Sequence, residues 1–131
     1  MDRLFGEDRA CVLEIERAIG EIVVGQKRPI RMAIIALCSG GHLLFEGVPG
    51  VAKTLLLRCL ARVVSGAFRR VQGSPDLMPA DLIGRIRPRL QGEDIWIPGP
   101  LLADNLVVLL MDEINRTPTK TQSALLEAMQ E

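Results

Sequence analysis

One stretch limits what this chain can fold into: Gly47-Val48-Pro49-Gly50-Val51-Ala52-Lys53-Thr54. It follows an apolar run, His42-Leu43-Leu44-Phe45-Glu46, that reads as a buried strand, and it precedes Leu55 to Val64, which reads as a helix. Strand, glycine-rich turn, Lys-Thr and helix, in that order, are the setting of a phosphate-binding loop. The glycines let the backbone curl so that successive N–H groups converge on an anion. The helix N-terminus adds its partial positive charge. On this reading Gly47, Val48, Pro49, Gly50, Val51 and Ala52 form the cradle. Lys53 reaches the β- and γ-phosphates, and the Thr54 hydroxyl holds Mg²⁺. Ala52 stands where the general pattern G-x-x-x-x-G-K-[ST] has its second glycine, a change that is tolerable if that residue has helical φ/ψ. The plainer alternative, a glycine-rich turn with no ligand, leaves the Lys-Thr pair unexplained.

A second signal lies well downstream. Leu106-Val107-Val108-Leu109-Leu110-Met111 is apolar without alternation, which predicts a strand covered on both faces, as in a parallel sheet between helices. Asp112 and Glu113 follow at its C-terminal end, where ligands bind in open α/β sheets. A nucleotide-hydrolysing site needs a carboxylate beside the phosphates to hold Mg²⁺, and Asp112 fits. An adjacent carboxylate can polarise the attacking water, and Glu113 fits that role. Alone, an apolar run ending in Asp-Glu is weak evidence, since many strands end in acidic residues. Behind a phosphate loop the pair gains force. Arg116 has two readings, contact with a neighbouring subunit or a surface helix cap.

The rest of the chain supplies the frame. Residues Glu7 to Val23 place Val12, Ile15, Ala18, Ile19 and Ile22 at helical spacing, and Val24-Gly25-Gln26 breaks the pattern. A second helix is predicted from Lys27 to Ser39, with Pro29 in its first turn and Gly40-Gly41 at its end. The helix from Lys53 is predicted to stop at Gly66. Ala67 to Gln72 reads as a short strand, Gly73 to Pro79 as turns and Pro79 to Ile83 as one helical turn. Arg85 to Leu90 and Asp94 to Ile97 read as a hairpin, with Pro88 marking an edge strand and Trp96 packed onto the domain. A last helix starts at Thr117-Pro118 or Thr119 and carries Ala124, Leu125, Ala128 and Met129. Gln130-Glu131 has no stop signal, so residue 131 is not expected to be a natural end.

Composition narrows the function classes. Sixteen basic and sixteen acidic residues cancel, which removes the electrostatic case for nucleic acid or an anionic membrane as partner. Clusters such as Arg69-Arg70 and Arg85-Arg87-Arg89 read as solvated faces. Cys11, Cys38 and Cys59 are odd in number and lack metal-ligand spacing, so they are expected to be buried, reduced thiols of a cytoplasmic protein. The N-terminus has no apolar core of a signal peptide, and no apolar run is long enough to span a bilayer.

From Asp112 the residues become specific. Asp112-Glu113-Ile114-Asn115-Arg116-Thr117-Pro118-Thr119-Lys120-Thr121-Gln122-Ser123-Ala124-Leu125-Leu126-Glu127-Ala128-Met129-Gln130-Glu131 closely resembles the Walker B segment and following helix of MoxR-type AAA+ ATPases. Gly47 to Thr54 looks like that family's Walker A loop, which often carries alanine at the position of Ala52. Val71 to Gly84 is similar to the stretch after the family's second strand, and the Arg85–Ile97 hairpin to its helix-2 insert. Val24-Gly25-Gln26 is similar to the AAA+ segment lining the adenine pocket. The segment between Gly99-Pro100 and Asp112 is a little longer than usual. The resemblance implies an α/β P-loop NTPase fold: a parallel sheet sandwiched by helices, a β-hairpin insert, and an incomplete AAA+ large subdomain over residues 24–131 after an N-terminal helix over 1–23. It implies ATP and Mg²⁺ as ligands and a homo-oligomeric ring, a hexamer by expectation. It also implies a client protein, for example one with a von Willebrand factor A domain.

The family continues beyond the equivalent of Glu131 with sensor 1, an arginine finger, another strand and a helical lid with sensor 2. AAA+ sheets are ordered 5-1-4-3-2, so the fourth strand would lie between the two apolar strands. The 131 residues alone are therefore expected to bind nucleotide weakly and to turn it over poorly. Three other readings compete. One is a related helix-2-insert enzyme such as a chelatase subunit. Another is a nucleotide-binding interaction module without turnover. The third, a P-loop small-molecule kinase, fits poorly, because Asp112-Glu113 followed by Asn115-Arg116 points to water as nucleophile.

Overall fold

The computed structural model describes residues 2–46, 52–89 and 92–130, with side chains from residue 9 onward. They fall into two compact units, residues 1–65 and 66–131, each with its own internal packing.

The first unit is helical. Helices α1 (Asp2–Ile22), α2 (Lys27–Cys38) and α3 (Lys53–Val63) pack on one another. Periodicity explains which residues meet: Ile19 and Val23 from the end of α1, Ile30, Ala33 and Ile34 from α2, and Leu56, Leu57, Leu60 and Ala61 from α3 are all buried. The buried stripe of α1 runs through Ile19 and Val23 rather than Ala18 and Ile22, which are exposed. An ion pair between Arg31 Nη2 and Glu16 Oε1 at 3.0 Å ties α2 to α1. Gly25, at φ 80°, makes the break between these helices in a conformation that a side chain would resist. Helix α2 ends as expected from Gly40-Gly41: Gly40 takes φ 61°, and the Gly41 N–H donates to the Ala36 carbonyl at 2.8 Å. Helix α3 ends at Val63, short of the expected Gly66.

The second unit is α/β. Strand β1 (Ala67–Gln72) pairs in parallel with β4 (Leu106–Asp112), from Ala67 opposite Leu106 to Gln72 opposite Asp112, with one irregularity after Ala67. Between them come helix α4 (Pro79–Ile83), strands β2 (Gly84–Arg87) and β3 (Ile95–Pro98), and a 3₁₀ turn at Pro100–Leu102. A second 3₁₀ turn, Ile114–Arg116, leads to helix α5 (Thr119–Ala128). Leu82 of α4 and Thr121 of α5 are each 1% exposed, and the Thr121 hydroxyl donates to the Leu77 carbonyl at 2.7 Å. Among the described residues no helix is long and apolar enough to cross a membrane.

Four expectations are corrected. Residues 42–46 form no strand: Leu44 is 72% exposed and the segment has no ladder partner among the described residues. An apolar run becomes a strand only when a neighbour takes its backbone hydrogen bonds. Strand β4 forms, but all seven of its residues are half-buried rather than covered on both faces. Its sheet has two strands among the described residues. The hairpin is shorter than read: β2 stops at Arg87, before Pro88, and Trp96 opposite Ile86 is 50% exposed. The cysteines are not buried: Cys11 and Cys38 are exposed and Cys59 is half-buried, because the packed stripes of their helices pass beside them.

Candidate functional site

The chemistry-bearing residues form two clusters, one in each unit. In the first, Lys53 and Thr54 open α3, the position from which a helix N-terminus acts on an anion. No acidic side chain lies in that first turn to compete. Lys53 Nζ donates to the Phe45 carbonyl at 3.4 Å. A cleft of about 160 Å³ is lined by Gln26, Pro29, Phe45, Glu46, Ala52, Lys53 and Leu56. It brings Gln26, singled out for the adenine pocket, to the same cavity as Ala52 and Lys53. Val24 and Gly25 do not line it, and Val24 is 81% exposed. Gly47, Val48, Pro49, Gly50 and Val51 lie outside the described residues. Pro29, Phe45 and Leu56 were not singled out from the sequence; their signal is ordinary hydrophobicity, and only tertiary packing turns them toward a cavity.

At Ala52 the condition for tolerating an alanine is not met. Its φ of 24° and ψ of 14° are not helical but on the positive-φ side, where a Cβ is strained. Glycine is the residue that suits such a backbone, which explains why the general loop pattern has glycine there.

In the second cluster, Asp112 ends β4 and its carbonyl accepts from the Gly73 N–H at 2.7 Å. Asp112 Oδ2 accepts from Arg70 Nη2 at 2.8 Å, and the same nitrogen lies 3.0 Å from Gln72 Oε1. Arg70 was read from the sequence as part of a solvated patch; the β1–β4 register is what carries it to Asp112. Glu113 has left-handed backbone (φ 52°, ψ 47°) and caps the turn Ile114–Arg116. Its Oε2 pairs with Arg116 Nη1 at 3.0 Å, and its carbonyl accepts from the Arg116 N–H at 2.9 Å. In this chain Arg116 therefore engages Glu113 itself. Gln122 pins the same loop from α5, donating to the Ile114 carbonyl at 3.2 Å and the Thr117 carbonyl at 2.7 Å. Gly73 lies against the Glu113 carbonyl so closely that a Cβ would collide with it.

Taken singly, the Thr54 hydroxyl of the first unit and the Asp112 carboxylate of the second are hard oxygen donors of the kind Mg²⁺ takes. Among the described residues no group of three acidic, His or Cys side chains could cage a metal.

The parallel β1–β4 pair and its helices make an α/β fold, and comparison with known proteins gives the class. Residues 42–131 match the family model of the ATPase family associated with various cellular activities, AAA. Chaperone MoxR1 of Mycobacterium tuberculosis is 52% identical over 126 residues, covering 93% of this chain and 33% of that protein. Protein MoxR of Methylorubrum extorquens is 41% identical over 132 residues, covering 99% of this chain and 38% of that protein. A crystal structure of a candidate ATPase from Cytophaga hutchinsonii superposes with a TM-score of 0.78 at 41% identity, over 99% of this chain and 40% of that one. The chain belongs to the AAA family of ATPases, in its MoxR-type branch. It spans between a third and two-fifths of the length of these relatives.

Proposed function

We propose that this chain carries the ATP-binding and hydrolytic half-site of a MoxR-type, chaperone-like ATPase that remodels or assembles partner proteins. The observation that carries the reading is Lys53 at the first position of α3, on the wall of a cleft it shares with Gln26. In this reading Gly47 to Ala52 cradle the phosphates with backbone N–H groups, Lys53 neutralises the β- and γ-phosphates, and Gln26 borders the adenine. Thr54 and Asp112 would hold Mg²⁺, which when bound offsets phosphate charge during transfer. Glu113 orients and polarises the attacking water. Its left-handed backbone turns the side chain off the strand direction, and release from Arg116 is the step that makes the carboxylate available. The full-length protein would work in the cytoplasm as a homo-oligomeric ring, a hexamer, acting on a client protein such as one with a von Willebrand factor A domain.

The test is binding of a fluorescent ATP analogue and phosphate release by the full-length protein. Lys53→Ala is expected to weaken binding more than tenfold. Glu113→Gln is expected to keep binding and lower turnover by about 10²- to 10⁴-fold, the worth of a positioned general base. Unchanged binding in Lys53→Ala would sink the phosphate-loop assignment. Unchanged turnover in Glu113→Gln would move the base elsewhere.

A further inference from the structure

We propose that Arg70 is a positioning residue for Asp112: its guanidinium holds the carboxylate in the metal-free protein, and an arriving divalent cation must displace it. Arg70 thereby lowers the cation affinity of the site. The inference rests on the reading of Asp112 as the metal-holding carboxylate.

The β1–β4 register is the starting point. Gln72 lies opposite Asp112 and Arg70 opposite Leu110. Residues two apart on a strand share a face, so Arg70 and Gln72 point the same way, toward the end of β4. One Arg70 nitrogen then meets Asp112 Oδ2 at 2.8 Å and Gln72 Oε1 at 3.0 Å. The first distance is at the short, charge-assisted end of the range. A guanidinium and a divalent cation use the same lone pairs and the same negative charge, so they compete for Oδ2.

The pair is open enough for the exchange: the Arg70 side chain is 47% exposed and that of Asp112 is 38% exposed. Gln72 Oε1 keeps a bond to Arg70 when Asp112 lets go, so the released guanidinium has an acceptor beside it. The pair between Arg116 and Glu113 differs in kind. It closes within one turn, whereas Arg70 reaches Asp112 from another strand and links β1 to the end of β4.

The experiment is a titration of the nucleotide-free full-length protein with Mn²⁺ alone, read by the loss of the free-ion electron paramagnetic resonance signal. R70Q is expected to bind Mn²⁺ about two- to fivefold tighter than wild type, the range an exposed ion pair allows. D112N should bind more weakly, and R70Q/D112N should show no gain over D112N. R70K keeps the charge but not the forked donor and should fall between wild type and R70Q. It also serves as the folded control if R70Q is poorly behaved. Superimposable wild-type and R70Q isotherms, weaker binding in R70Q, or a gain that survives D112N would each overturn the proposal. Failure of the ATPase reading shows separately, as absence of fluorescent ADP binding by wild type in EDTA, and the Mn²⁺ comparison decides the role of Arg70 either way.

Discussion

Two apolar segments of similar character have different fates in this molecule. Leu106–Asp112 is a strand because Ala67–Gln72 runs beside it and takes its backbone bonds. His42–Glu46 is just as apolar at Leu43, Leu44 and Phe45, yet it forms no strand, Leu44 is largely exposed, and the Phe45 carbonyl accepts instead from the Lys53 ammonium. The difference teaches that a strand is a property of a pair. Composition makes a segment able to extend; only a neighbour makes the ladder, and an unpaired row of N–H and C=O groups stays in water or finds local partners.

Proline substitutions should separate the two segments most strongly. Leu109→Pro, in the middle of β4, fixes φ and removes an N–H, and is expected to cost more than about 2 kcal/mol. Leu44→Pro removes no ladder bond and should cost under about 1 kcal/mol. Urea unfolding checks both. Equal losses would mean that residues 42–46 are paired in solution after all.

A smaller effect tests the packing beside β4. Thr121→Val keeps the volume but deletes the hydroxyl that satisfies the Leu77 carbonyl. The expected loss is about 1 kcal/mol, the cost of leaving a half-buried acceptor without its donor. A midpoint shift in urea at constant slope would show it. No shift would mean that water replaces the hydroxyl.

The smallest effect concerns Ala52, just before helix α3. Ala52 is held at positive φ, so Ala52→Gly should relieve strain and stabilise the protein by up to about 1 kcal/mol, less what glycine loses in unfolded-chain entropy. A rise in melting temperature of a few degrees is expected. A fall would indicate that residue 52 is helical in solution.

The candidate site was legible to different depths. Lys53, Thr54, Asp112 and Glu113 stood out because their signals are local: a spacing, a residue pair, an apolar run before two carboxylates. The structure puts Lys53 at the start of α3 and Asp112 at the end of β4. Arg70 was invisible as a site residue. Its partner lies 42 positions away, and nothing in the run of β1 tells which strand will lie beside it. Arg116 was half-legible: it stands three residues from Glu113, the distance at which one helical turn brings side chains together. The cysteines were misread for the same reason as Arg70. Apolar neighbours in sequence do not say which stripe of a helix faces its partner, and Cys11 and Cys38 lie off that stripe.

By itself, then, the sequence determined what short-range physics controls. Periodicity set the helices, glycines at Gly25 and Gly40 set the breaks, and the Lys-Thr and Asp-Glu pairs singled out the candidate site residues. Tertiary structure alone decided what depends on residues far apart. It chose β1 as the partner of β4, while residues 42–46 form no strand. It gave Asp112 a guanidinium and gathered Gln26, Phe45 and Lys53 around one cleft. The reason is that a backbone hydrogen bond or an ion pair across the fold is fixed by geometry that no window of neighbouring residues contains.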